Sequence, residues 1–238
     1  MEKTLTKYLV EAYGLSRRQA TKAIKDSQVI INGEIAQSFN MPVKEGNNIS
    51  YRGQNTIISF RSQTFTLLMN KPKGILAATV DKREKTVLDI LPPFYKDKGL
   101  FPAGRLDKES TGLIILTNDG DLAYKLTHPS FEHEKEYYVS TARPLTDAEK
   151  KQLEKGVDIY ESGLTSPAKI KDLGTSAPPY HYSVIIHEGK KRQVRRMFLS
   201  VNNIVKDLKR VRIASLVLPD DLNEGQARMA PSGFIDSI

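Results

Sequence analysis

Gly104-Arg105-Leu106-Asp107-Lys108-Glu109-Ser110-Thr111-Gly112-Leu113-Ile114-Ile115-Leu116-Thr117-Asn118-Asp119-Gly120 contains, in one short stretch, a loop, a strand and the start of a helix. The apolar run Gly112 to Leu116 suits a buried strand, because it leaves no polar face for water. The charged residues before it then read as a loop delivered to the sheet edge, where Arg105 and Asp107 can be held rigidly. After Asn118 a helix is predicted over Asp119 to Thr127. Outward from this stretch, strand-like runs recur at Phe65 to Met69, Lys135 to Thr141 and Tyr182 to His187. Helices are fewer: Thr146 to Lys155, opened by the Thr-x-x-Glu cap from Thr146 to Glu149, and Val194 to Val201. Strands and helices do not alternate as βαβ units, and no repeat or low-complexity tract interrupts them, so the expected class is α+β.

The first sixty residues have a different texture. Leu5, Leu9 and Ala12 sit at helical spacing, with Gly14 placed to end the helix. Ser16 and Gln19 form a capping-box pattern at the head of a second helix, Arg17 to Asp26. At 100° per residue its Ala20, Ala23 and Ile24 share one face, while Arg18, Lys22 and Lys25 share the other. Val29-Ile30-Ile31-Asn32-Gly33-Glu34-Ile35 is a hairpin around Asn-Gly. Residues 40–64, rich in Asn, Gln, Ser and Gly with short pieces such as Asn48 to Tyr51, read as module edge plus linker. A basic helix face is an ordinary solvated surface or a contact for phosphate, and spacing leaves both open. The run Leu15 to Ala20 followed by Val29 to Gly33 resembles the S4-like RNA-binding domain, which implies that Arg17, Arg18, Lys22 and Lys25 lie against a phosphate backbone. The expected organisation is residues 1–60 as this module and 61–238 as a second domain.

Composition bounds the chemistry. In 238 residues, 36 Lys+Arg stand against 28 Asp+Glu, a net charge of +8 that attracts polyanions, nucleic acid first and an anionic membrane second. There is no cysteine, hence no disulfide framework, thiolate metal site or cysteine nucleophile. His128, His133, His181 and His187 show no helical i, i+4 pair, so no metal site is expected. Phosphate loops of the G-x-x-x-x-G-K-[ST] kind, G-x-G-x-x-G, G-x-S-x-G and H-E-x-x-H are all missing, which removes the usual support for nucleotide hydrolysis and serine hydrolysis. The start of the sequence carries no signal-peptide pattern and the longest aliphatic cluster is Leu113 to Leu116, so a cytoplasmic protein without a membrane partner is expected.

A loop aspartate beside basic residues is most often a structural ion pair, and spacing alone does not make Asp107 catalytic. Five segments in order change that reading. Gly104-Arg105-Leu106-Asp107 with Ser110-Thr111-Gly112-Leu113 closely resembles the signature of the ribosomal RNA pseudouridine synthases. Met69 to Gly74 resembles their first motif, Glu134-Lys135-Glu136-Tyr137 their K-x-Y element, and Glu188 to Met197 their third motif. Val211 to Leu216 and Leu222 to Gly225 match their closing strands. With the N-terminal module these cover nearly the whole chain, as in the RsuA-type branch.

The resemblance implies a mixed, largely antiparallel sheet with flanking helices. It also implies isomerisation of uridine to pseudouridine in ribosomal RNA, or in a ribosomal assembly intermediate, by a monomer that needs no cofactor. Asp107 inherits the essential carboxylate, as nucleophile or base. Arg195 is its ion-pair partner, Tyr137 the ring that stacks on the uracil, and Arg105 the side chain that displaces the base or holds it flipped. Lys71, Lys190, Lys191, Arg192 and Arg196 are expected to bind RNA. The alternative from another class is a non-catalytic ribosomal-RNA-binding or assembly factor, which the charge and the module fit equally well. Asp107 tells against it, since a carboxylate in an RNA-binding cleft repels phosphate.

Overall fold

Thr4 accepts a hydrogen bond from the Lys7 amide and Ser16 accepts one from the Gln19 amide, so the first two helices begin at their polar caps. They belong to a computed structural model that describes residues 3–44, 46–57, 64–231 and 234. The chain divides into two units, Met1–Thr64 and Phe65–Ile238. The domain boundary expected after residue 60 falls outside the described residues.

The first unit runs β1 (Lys3–Thr4), α1 (Leu5–Tyr13), α2 (Arg17–Lys25), β2 (Val29–Ile31), β3 (Glu34–Ile35), β4 (Pro42–Val43), β5 (Asn48–Tyr51) and β6 (Gln54–Ile57). Leu5, Tyr8 and Leu9 of α1 and Ala20, Ala23 and Ile24 of α2 bury against Val29, Ile31, Val43, Ile49 and Tyr51. Asn32 and Gly33 turn the β2–β3 hairpin with φ of 50° and 92°, the double positive φ that a two-residue type I′ turn demands. Residues 48–57, within the stretch read as module edge and linker, belong to the fold: β5 pairs with both β2 and β6 in a sheet of order β3-β2-β5-β6. Asn48 and Ser50 disguise it, because they take the outward positions while Ile49 and Tyr51 face the core.

The second unit comprises β7 (Thr66–Lys71), α3 (Pro93–Lys96), β8 (Phe101–Ala103), β9 (Thr111–Thr117), α4 (Gly120–Thr127), a 3-10 turn (Pro129–Phe131), β10 (Lys135–Thr141), α5 (Asp147–Lys155), β11 (Lys169–Asp172), β12 (Tyr182–Ile186), α6 (Gln193–Ser200), β13 (Val205–Ile213), β14 (Leu216–Val217) and β15 (Ala227–Met229). Its sheet has the order β11-β12-β10-β13-β9-β7-β15, with β8 beside β9 and β14 on β13. All of these pairings are antiparallel except β9 with β13. One face packs Leu67, Met69, Ile114, Leu116 and Val139 against Leu153 of α5 and Met197 and Phe198 of α6. The other packs Leu68, Leu113 and Ile115 against Leu122, Ala123 and Leu126 of α4. Because β9 is buried on both faces, its sequence shows no alternation.

Three expectations change. β9 is an inner strand, flanked by β7 on one side and by β13 and β8 on the other, so the loop before it enters the middle of the sheet and not its edge. The segment 211–216 is the end of the longer β13, its turn and the start of β14. Residues 222–225 form a turn ahead of β15 and not a strand.

Where β9 meets β13 the backbones touch. Gly112 has φ of 100°, and a Cβ there would lie 2.2 Å from the Arg210 carbonyl oxygen, so only glycine fits.

Candidate active site

The loop from Gly104 to Ser110 is held from beneath by two buried cations. Lys71, at the end of β7, is 0% exposed, and its Nζ donates to the carbonyls of Pro72 (2.8 Å), Lys108 (3.2 Å) and Ser110 (2.8 Å). An ammonium has three hydrogens, and all three are used. Burial lowers its pKa to about 8, against the opposing pull of Glu109, Glu224 and Asp107. Lys71 therefore does not reach RNA, contrary to the expectation from sequence; it fastens the loop that carries Asp107. Arg210 of β13 does the same from the other side, with Nε donating to Leu113 O at 2.8 Å and Nη1 to Arg105 O at 3.4 Å.

Asp107 lines a cavity of about 210 Å³ together with Arg105, Lys135, Tyr137, Glu188, Arg192 and Arg210. That is small beside the roughly 300–1,000 Å³ of a drug-sized ligand site and suits a single planar ring. Strand register sets the floor: Tyr137 of β10 pairs with Arg210 of β13, and Arg210 pairs with Gly112 of β9, so the three stand in one row across the sheet. Tyr137 is 8% exposed, packed into the core on one side and bounding the cavity on the other. Lys135 has its pKa lowered by burial and then by the Arg210 charge. Arg210 is only 3% exposed, and its Nη2 has no hydrogen-bond partner among the described residues. It is a buried wall of the cavity. Arg105 is exposed at the same cavity.

The expected ion pair between Asp107 and Arg195 is not formed. Arg195 Nη1 donates to Val205 O at 3.0 Å and Nη2 to Glu109 O at 3.4 Å, and its pKa is lowered by burial and then by Arg192, with Asp107 acting on it only through space. The cation at the carboxylate is Arg192, whose Nη1 lies 3.7 Å from Asp107 Oδ2. Arg192 caps α6 in the left-handed region, φ 53°, a conformation that costs a residue with a Cβ roughly 1–2 kcal/mol. Sequence offered no sign of this, because the choice between Arg192 and Arg195 is made by the backbone turn. The turn is locked by Glu188, which accepts from Ser166 N (2.8 Å) and from Gln193 Nε2 (2.6 Å).

The other basic side chains divide into two groups. Lys190 donates to Leu164 O and pairs with Glu188, and Arg196 binds Tyr160 O, Ser162 and Glu161, so both are engaged by the protein. Lys191 is exposed, as is Arg192. In the first unit Arg17, Arg18, Lys22 and Lys25 all stand exposed on α2, with Lys22 paired to Asp26 at 2.6 Å. Among the described residues no group of three or more His, Asp or Glu side chains is placed to hold a metal ion, and no helix is long and apolar enough to cross a membrane.

A family model described as RNA pseudouridylate synthase matches residues 66–200, and an S4 domain model matches residues 4–49. The chain is similar to the ribosomal small subunit pseudouridine synthase A of Haemophilus influenzae, 33% identical over 235 residues that cover 98% of each chain. The enzyme of the same name from Escherichia coli (strain K12) is 34% identical over 237 residues, covering 98% of this chain and 99% of that one. A crystal structure of a pseudouridylate synthase, 33% identical, superposes with a TM-score of 0.70 over 98% of both chains.

Proposed function

The chain belongs to the RNA pseudouridylate synthase family, and from that premise we propose that it converts a uridine of small-subunit ribosomal RNA to pseudouridine with Asp107 as the essential carboxylate. The names of its relatives support the choice of subunit. The observation that carries the assignment of the site is Asp107 beside Tyr137 in a cavity of single-ring size.

The reaction breaks the bond between N1 of uracil and C1′ of ribose, turns the base, and joins C5 to the same carbon. The proton leaves C5, N1 gains one, and no cofactor is consumed. A base stacked in RNA must leave the stack to enter such a cavity. Arg105, exposed at the cavity, fits the role of holding the extruded nucleotide, and the Tyr137 ring bounds the space its base would fill. Asp107 then supplies the carboxylate oxygen, with the Arg192 guanidinium beside it to orient it. Lys191 on the second unit and Arg17, Arg18, Lys22 and Lys25 on the first supply backbone contacts. One chain carries every one of these groups, so a monomer suffices, and the substrate places the work in the cytoplasm.

Tritium release from small-subunit ribosomal RNA labelled at C5 of uridine tests this directly, with large-subunit RNA as control. Wild type should release tritium from the small-subunit transcript, and Asp107→Asn should bind that RNA without releasing any. Release by the Asn variant, or binding without release by wild type on both RNA and ribonucleoprotein, would sink the reading.

A further inference from the structure

At the end of α4 four rings gather beside the cavity without being buried in the core. Tyr124 and Phe131 are 55% and 44% exposed. The Tyr124 ring lies 4.6 Å from that of His128 and meets Phe131 edge-on at 6.0 Å, and Phe131 stacks parallel to His133 at 6.0 Å. The helix does not need Tyr124 for packing, since it buries Leu122, Ala123 and Leu126. The turn that presents Phe131 is fixed by His128 Nδ1 and Ser130 Oγ, 2.7 Å apart. Leu126, Thr127 and Pro129, interleaved with these rings in sequence, line the Asp107 cavity itself. The cluster is therefore continuous with the rim of the site.

We propose that Tyr124, His128 and Phe131 form a stacking platform for an unpaired nucleobase that flanks the extruded uridine. This rests on the RNA-substrate reading above. Extruding one base leaves its neighbours without a stacking partner, and an aromatic surface at the mouth of the cavity restores one without regard to base identity. The occupant is a base and not an aliphatic side chain because the patch is built of ring faces and edges, with the cation Lys125 exposed on the same helix.

The chain contains no tryptophan, so Phe131→Trp installs a single indole reporter in the full-length protein. Titrated with protein-free small-subunit ribosomal RNA, its fluorescence should be quenched about twofold or more. Tyr124→Ala and Phe131→Ala should each raise KM for the same RNA about five- to tenfold, with the loss in KM and not in kcat. Phe131→Leu should share that loss and Phe131→Tyr should recover most of it, which a merely apolar role would not give. Binding of RNA by anisotropy with no quench and unchanged KM overturns the platform while leaving the functional reading intact. Quenching by ribonucleoprotein particles alone overturns it in favour of a protein contact. If wild type binds no RNA, the functional reading falls and the platform with it.

Discussion

Arg192 Nη1 stands 3.7 Å from Asp107 Oδ2, whereas Arg195, three residues later, directs its terminal nitrogens to the backbone carbonyls of Val205 and Glu109. Two arginines of one motif thus have separate duties: one faces the carboxylate, the other ties α6 to β13 and to the Asp107 loop. An exposed ion pair contributes only about 0–1 kcal/mol to folding. Arg192→Ala should therefore lower kcat about tenfold or more while shifting Tm by no more than about 2 °C. Arg195→Ala removes two hydrogen bonds to backbone carbonyls, one of them part-buried, and should cost about 1–3 kcal/mol of stability. Thermal melts beside single-turnover rates decide it, and the opposite pattern would return Arg195 to the carboxylate.

The pKa of Lys71, lowered to about 8 from its ordinary 10.5, sets a direction for stability against pH. Between those values the unfolded chain still holds the proton that the folded chain has lost, so this group's contribution to stability increases as pH rises from about 8 to 10.5. Below pH 8 the cost of burying the charge is present in full. Urea unfolding of wild type and Lys71→Met should give a stability difference that moves in favour of wild type across that window. A flat difference would mean that the ammonium is not held low.

At Gly112 a single methyl group meets backbone. Gly112→Ala should destabilise by about 3 kcal/mol or more, a fall in Tm of roughly 6–12 °C, because both φ and the 2.2 Å approach to Arg210 O forbid a Cβ. Gly120→Ala, in open space at the first turn of α4, should stay within about 0.5 kcal/mol of wild type or improve on it. Equal melting temperatures for the two variants would refute the close approach of β9 and β13.

On α2 the cations are unequal. Lys22 is already paired with Asp26, while Arg18 makes no such pair among the described residues. If the face grips phosphate, Arg18→Ala should reduce the slope of log Kd against log salt by roughly one unit, and Lys22→Ala by less. A slope unchanged in both variants identifies the face as solvated surface.

Much of the fold was legible because local signals were undiluted. The capping boxes at Ser16 and Thr146 stand where the patterns placed them, and β10 has the predicted ends. β13 begins earlier than its sequence suggests, because Lys206, Asp207, Lys209 and Arg210 look like a solvated basic run. Alternation was present there, but charge hid it, since Arg210 occupies an inward position that a hydrophobic residue would normally mark. Lys71 resembles a surface cation for the same reason: nothing local announces that a lysine has three carbonyls waiting for it. Asp107 and Tyr137 line the same cavity, and only motif resemblance singles them out in the sequence, whereas the placing of Arg192 and not Arg195 beside Asp107 depends on one left-handed residue.

The row of Gly112, Arg210 and Tyr137 also sets an order of events during synthesis. Arg210 Nε reaches the Leu113 carbonyl across 97 positions of chain, and closing so long a loop comes late in folding. The first unit, by contrast, closes on near neighbours and is complete by residue 64. A nascent chain that has not yet presented β13 carries Asp107 and Tyr137 without the wall that joins them. A fragment ending before Val205 should accordingly show a folded first unit and no tritium release, so that competence arrives only once β13 has been made.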